Sequence, residues 1–124
     1  MNGKQRAFTF VELMVVLAII ALLLTVALPR YFAGLERAAE AVLKEDLLTM
    51  REAIDDYYVD KGQYPASLEK LVEQRYLRSI PVDPVTQSDE TWILIGLPQN
   101  PSVVYDIRSG AEGEASDGSF YYDW

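Results

Sequence analysis

Cysteine and histidine are both missing from this chain of 124 residues. Without cysteine there is no disulfide framework, no thiolate metal site and no thiol nucleophile. Without histidine the usual general base and the commonest zinc ligand are gone. Positive charge is scarce too: 11 Lys+Arg stand against 19 Asp+Glu, a formal net charge of -8. So acidic a chain is a poor match for phosphate backbones, which argues against nucleic acid as the main partner. The sequence also has no phosphate-binding loop and no nucleophile–base pair, so a non-enzyme is expected. A hydrophobic content of 50% is too high for a disordered tail, and the length suits one domain.

What the chain has in plenty is one long apolar run. From Phe8 to Leu28 the only polar side chains are Thr9, Glu12 and Thr25. A helix of this length, at about 1.5 Å per residue, spans roughly the 30 Å hydrocarbon core of a bilayer. Lys4 and Arg6 precede it. The positive-inside rule then puts the N-terminus in the cytoplasm and everything after Arg30 on the far side. A secretory signal peptide, cut near Thr25-Val26-Ala27, competes with this reading, although the run is long for one and Pro29 follows the cut. A plain single-span anchor also competes, but it leaves Glu12 unexplained. A carboxylate inside a spanning helix costs about 3 kcal/mol unless it finds a partner or snorkels to the headgroups. No Lys or Arg within reach along the helix can neutralise Glu12, so a partner must come from elsewhere, such as another chain.

The segment Arg6-Ala7-Phe8-Thr9-Phe10-Val11-Glu12-Leu13 resembles the class III signal of type IV prepilins and type II secretion pseudopilins. The resemblance implies cleavage by a prepilin peptidase between Ala7 and Phe8, followed by N-methylation of Phe8. Ala7 stands where the family usually has Gly, and Phe10 where it has Leu. The resemblance also gives Glu12 a partner, the N-terminal ammonium of a neighbouring subunit in a homo-oligomeric filament. Pairing two isolated charges in lipid offsets the cost of each. Three regions follow: a leader over residues 1–7, a transmembrane and filament-core helix over 8–29, and a periplasmic domain over 30–124. Loss of the leader removes Lys4 and Arg6 and moves the side-chain charge from -8 to -10. The implied location is the bacterial inner membrane, crossed once. The implied partners are membrane lipid before assembly, prepilin peptidase, minor pseudopilins and an inner-membrane assembly platform.

Beyond Pro29 the pattern turns periodic. Leu35, Ala38, Ala39, Val42, Leu43, Leu47, Met50, Ile54, Tyr57 and Tyr58 recur at three and four residues. Glu36, Arg37, Glu40, Lys44, Glu45, Asp46, Arg51, Glu52, Asp55 and Asp56 fall on the other side. This predicts a long amphipathic helix with one face to cover. Pro29 is expected to kink or loosen it as a hinge, with Gly34 adding softness, or to mark the boundary of the membrane part. Gly62 is expected to cap its C-terminus, Pro65 to prevent a restart, and Ser67 to cap a short helix containing Leu68, Leu71, Val72 and Leu77. Strands are expected over Trp92–Leu97 and Val103–Arg108, with a third at Phe120–Tyr122. Phe120 and Tyr122 should cap the core, with Trp124 either in that core or at a subunit contact. The fold class is therefore α+β: a long helix packed on a small antiparallel sheet, type IV pilin-like by the resemblance.

The second half also resembles the major (G-subunit) branch of the pseudopilins. The matching residues are Gly62-x-Tyr64-Pro65, Tyr76-Leu77-x-x-Ile80-Pro81-x-Asp83-Pro84 and Tyr105-Asp106-Ile107-x-Ser109-Gly110. The implied role is a structural subunit of a periplasmic pseudopilus that drives protein export. A type IV pilus subunit for adhesion, motility or DNA uptake stays open as an alternative, as does a membrane-anchored periplasmic binding domain. That branch binds calcium in its C-terminal loop. Here residues 109–118 carry three carboxylates, two hydroxyls and three glycines, oxygen-rich but without EF-hand spacing. The expected side-chain ligands are Glu114 and Asp117, then Ser109 and Ser116; a solvated acidic turn is the alternative.

Overall fold

The computed structural model describes residues 7–124, and the chain divides into two compact units, one ending at Leu35 and one spanning Glu36–Trp124. One helix, α1 (Phe10–Lys61), supplies residues to both. Thr9 caps its N-terminus: the Glu12 amide donates to the Thr9 hydroxyl at 3.1 Å. The helix runs on through Pro29 and Gly34 without a break. Pro29 removes one backbone donor, and the turns on either side carry the helix across it.

In the first unit every described residue from Ala7 to Phe32 is exposed. Valine, leucine and isoleucine cover the whole circumference rather than one stripe, which suits an apolar solvent on all sides. Among the described residues α1 is the one helix long and apolar enough to cross a membrane.

In the second unit α1 buries Glu40, Leu43, Leu47, Met50, Ala53, Ile54 and Tyr57, a stripe at three- and four-residue spacing. The stripe is narrower than the sequence suggests. Val42 and Tyr58 stay about half exposed, Tyr58 stacking on Tyr64 with ring centroids 4.4 Å apart. Glu40 goes the other way, from an expected solvent position to 6% exposure.

Gly62 ends α1 as expected, with φ +72 and its amide donating to the Tyr58 carbonyl at 2.8 Å. Helix α2 (Leu68–Glu73) starts at Ser67, whose hydroxyl accepts from the Lys70 amide. Leu77 lies beyond the end of α2 but is still buried. The sheet has two antiparallel strands, β1 (Ile93–Ile95) and β2 (Asp106–Arg108), in register Ile93↔Arg108, Leu94↔Ile107 and Ile95↔Asp106. Both are shorter than their apolar runs. At Gly96 the backbone closes against Pro101, where a Cβ would lie 2.6 Å from the carbonyl oxygen, and the ladder gives way to an isolated Leu97↔Asn100 bridge. Such a ribbon is marginal alone. Its fully buried Ile107, with Val104 just before it, joins the α1 stripe, Leu71 and Trp92 in one core.

The expected third strand is a correction. Tyr121–Asp123 forms a turn of 3₁₀ helix, and only Phe120 bridges, to Glu114. The tighter helical period reverses which aromatics face inward. Tyr121 is buried, while Phe120 and Tyr122 are more than half exposed. Trp124 packs partly buried against the core, edge-on to Tyr121.

Two phenols make this unit sensitive to alkali. The Tyr76 hydroxyl donates to Asp60 at 2.6 Å, and this bond, with burial second, pushes its pKa from 10.0 to about 12. Burial, then the Glu40 carboxylate, pushes Tyr121 to about 12 as well. Both folds favour the neutral phenol. Their contribution is complete below pH 10 and is lost as pH rises towards 12. Circular dichroism against pH should therefore show stability falling steeply over that interval, and Tyr76→Phe should shrink the alkaline step.

Candidate functional site

The residues expected to direct processing lie at the start of the described chain. Ala7 and Phe8 precede α1 in non-helical backbone, and Phe8 is 79% exposed. A non-helical, uncovered peptide is what a protease can bind. Lys4 and Arg6 lie outside the described residues. Glu12 sits in the first turn of α1, where the helix dipole favours an anion. Among the described residues no cation comes within ion-pair distance of it. The acid is thus held at a fixed turn of an exposed apolar helix, one turn from the Phe8–Thr9 segment.

The second region is the C-terminal loop. Three short bonds close it on itself: Ala115 amide to Ser119 carbonyl (2.7 Å), Gly118 amide to Ala115 carbonyl (3.0 Å) and Tyr121 amide to Gly113 carbonyl (3.3 Å). Gly113 and Gly118 adopt left-handed φ of +89 and +87, which the reversal requires. The buried Glu40 reaches this loop from α1. Its Oε1 accepts from the Ser116 amide (2.7 Å) and the Tyr121 hydroxyl (2.9 Å), and its Oε2 from the Ser116 hydroxyl (2.5 Å). The Ser116 hydroxyl is the main cause of a Glu40 pKa below the ordinary carboxylate value, overcoming burial, which acts in the opposite direction.

Two further anchors fix the approach to the loop. Asp83 is fully buried and accepts from the Val85 and Thr86 amides at 2.8 and 3.2 Å. Its other oxygen takes the Ser109 hydroxyl, which accepts in turn from the Ala111 amide. Arg51 donates to Asp106 Oδ1 (2.9 Å), the Ile107 carbonyl (2.9 Å) and the Trp124 main-chain oxygen (2.6 Å). Lys44 lies 4.4 Å from the centroid of the Trp124 ring.

Residues 2–28 match the family model described as the prokaryotic N-terminal methylation motif. Type II secretion system core protein G of Klebsiella pneumoniae is 31% identical over 65% of this chain and 69% of its own length. This chain belongs to the core protein G family. The Escherichia coli (strain K12) core protein G is 28% identical over 99% of this chain and 93% of its own. The type IV major pilin PilE1 of Neisseria gonorrhoeae is 31% identical over 67% of this chain, which spans about half of that pilin's length. No solved structure matches.

Membership accounts for the methylation motif around Phe8 and for the long helix with its small sheet. The four expected calcium ligands of this family member are not brought together. Ser109 is committed to Asp83 and Ser116 to Glu40. Asp117 Oδ1 accepts from the Ser119 amide and hydroxyl at 2.9 and 2.5 Å, and Glu114 is exposed on the bridge to Phe120. Among the described residues no three His, Cys, Asp or Glu side chains are grouped to hold a metal ion. The Ser109 and Ser116 hydroxyls are turned to Asp83 and Glu40, and one Asp117 oxygen is held by Ser119, so these side chains are organised around the protein's own hydrogen bonds. Sequence reasoning missed Glu40, Asp83 and Arg51. A pointer to Glu40 was there: it continues the line Leu43, Leu47 one turn further towards the N-terminus.

Proposed function

We propose that the chain is a structural subunit of a periplasmic pseudopilus of the type II secretion system. Prepilin peptidase cuts it between Ala7 and Phe8 and methylates Phe8. The mature subunit waits in the inner membrane as a single-pass protein, N-terminus cytoplasmic, and is then drawn into a filament. The assembly platform and minor pseudopilins are its partners there, and protein export is the output. In the filament the helices over 8–29 form the core, and Glu12 pairs with the N-terminal ammonium of a neighbour. The exposed apolar surface from Phe8 to Leu28 packs against lipid or against its own copies at similar cost, which keeps transfer between them feasible.

The observation that supports this reading is the match to core protein G over 99% of the chain and 93% of that protein. Intact mass spectrometry of membrane-extracted protein tests the processing step. The expected species begins at Phe8 and carries one added methyl group. A mature N-terminus near Leu28 would identify an ordinary secretory signal and overturn the reading.

A further inference from the structure

The disagreement between the expected calcium site and the observed loop points to a different organiser. In a cation site, oxygens converge on a positive centre. Over Ser116–Tyr121 the polarity is reversed: N–H and O–H donors converge on a negative one. Glu40 places both carboxylate oxygens among three donors, two from Ser116 and one from Tyr121, residues 76 and 81 positions away in sequence. The group is 6% exposed. A buried carboxylate is costly unless such donors satisfy it, and bonds to an ionised acceptor are stronger than neutral ones. The nearby cation, Lys44, contacts Asp117 at 3.9 Å in an exposed, weak pair and is not bonded to Glu40.

We propose that the Glu40 carboxylate closes the C-terminal loop of this protein in place of a metal ion. The carboxylate is carried by α1, so the loop is fastened directly to the helix that forms the core. Ser116 turns both of its donors, the amide and the hydroxyl, to Glu40. Asp117, which would supply charge to a cation, instead fixes the turn through Ser119. Loop closure is therefore independent of calcium and dependent on Glu40. The inference stands apart from the filament reading, because it concerns how one subunit folds.

Hydrogen exchange of the detergent-solubilised full chain, read by mass spectrometry, separates the possibilities. In the wild type, exchange across 113–121 should be the same with excess calcium and with a calcium chelator. Glu40→Gln turns one acceptor into a donor facing donors, and should speed exchange there about tenfold in both conditions. Slowing of wild-type exchange by calcium, or an unchanged rate in Glu40→Gln, would overturn the proposal. If Glu40→Gln also loses protection in α2 and β2, the milder Ser116→Ala decides. It removes one hydroxyl and should speed the loop alone; no change in the loop would again overturn the proposal.

Discussion

Glu12→Ala is expected to leave membrane insertion intact and to abolish filament formation. The substitution removes the one carboxylate of the apolar run, so residence in lipid becomes easier by about 3 kcal/mol. In the proposed filament the same change deletes the carboxylate that would pair with a neighbour's N-terminal ammonium, leaving that charge unpaired. Both effects push towards the membrane-bound monomer. A bias of about 3 kcal/mol corresponds to roughly a hundredfold loss in subunit addition. Fractionation should find Glu12→Ala in the inner membrane at normal amounts, while electron microscopy of sheared material finds no filaments. Glu12→Asp keeps the charge on a shorter stem and should recover part of the assembly. Normal filaments from Glu12→Ala would show that the charge pair does not drive polymerisation.

Gly110→Ala should be among the most damaging single changes in the Glu36–Trp124 unit. A Cβ at this position would overlap the Thr91 carbonyl oxygen and press on the Thr91 side chain. Neither side has room to yield. Ser109 and Ala111 are fixed by the Asp83 network, and the Thr91 hydroxyl is bonded to that of Thr86 at 2.6 Å. Overpacking a rigid site costs about 3 kcal/mol or more, which for a unit of this size is a fall of about 15 °C in thermal midpoint. Gly34→Ala, in the unit that ends at Leu35, is the contrasting change. Nothing lies within 4 Å of a Cβ there, and the position is helical, so about 1 kcal/mol of stabilisation is expected. Scanning calorimetry should show a clear fall in midpoint for Gly110→Ala and none for Gly34→Ala. Equal midpoints would mean that the 109–111 segment is free to shift.

The sequence was most informative where the physics is local. The uniform apolar run, the Gly62 cap and the Ser67 cap each depend on neighbours within a few residues, and each was found where expected. The two strands were placed correctly but drawn too long, since Gly96 ends the ladder through a close approach to Pro101 that no alternation pattern encodes. Phe120-Tyr121-Tyr122 fits a strand by composition, yet the 3₁₀ turn buries the middle ring. The buried acids were the hardest to foresee. Glu40, like any glutamate among other charged residues, belongs on the surface by default. Only the arrival of Ser116 and Tyr121 from the far end of the chain makes its burial tolerable. The loop was hard to read for the same reason: counting its oxygens cannot reveal that Ser116 turns its amide and hydroxyl to Glu40 and that Asp117 holds Ser119.

Compactness beginning at Glu36 has a practical reach. Glu40, Arg51 and all their bonding partners lie after that point, and the greasy stretch lies before it. Trimming the gene to start there should release the head as a freely diffusing domain, ready for solution NMR without detergent. Starting a single helical turn later would place Glu40 at the frayed first turn of the helix, beside a new N-terminal charge.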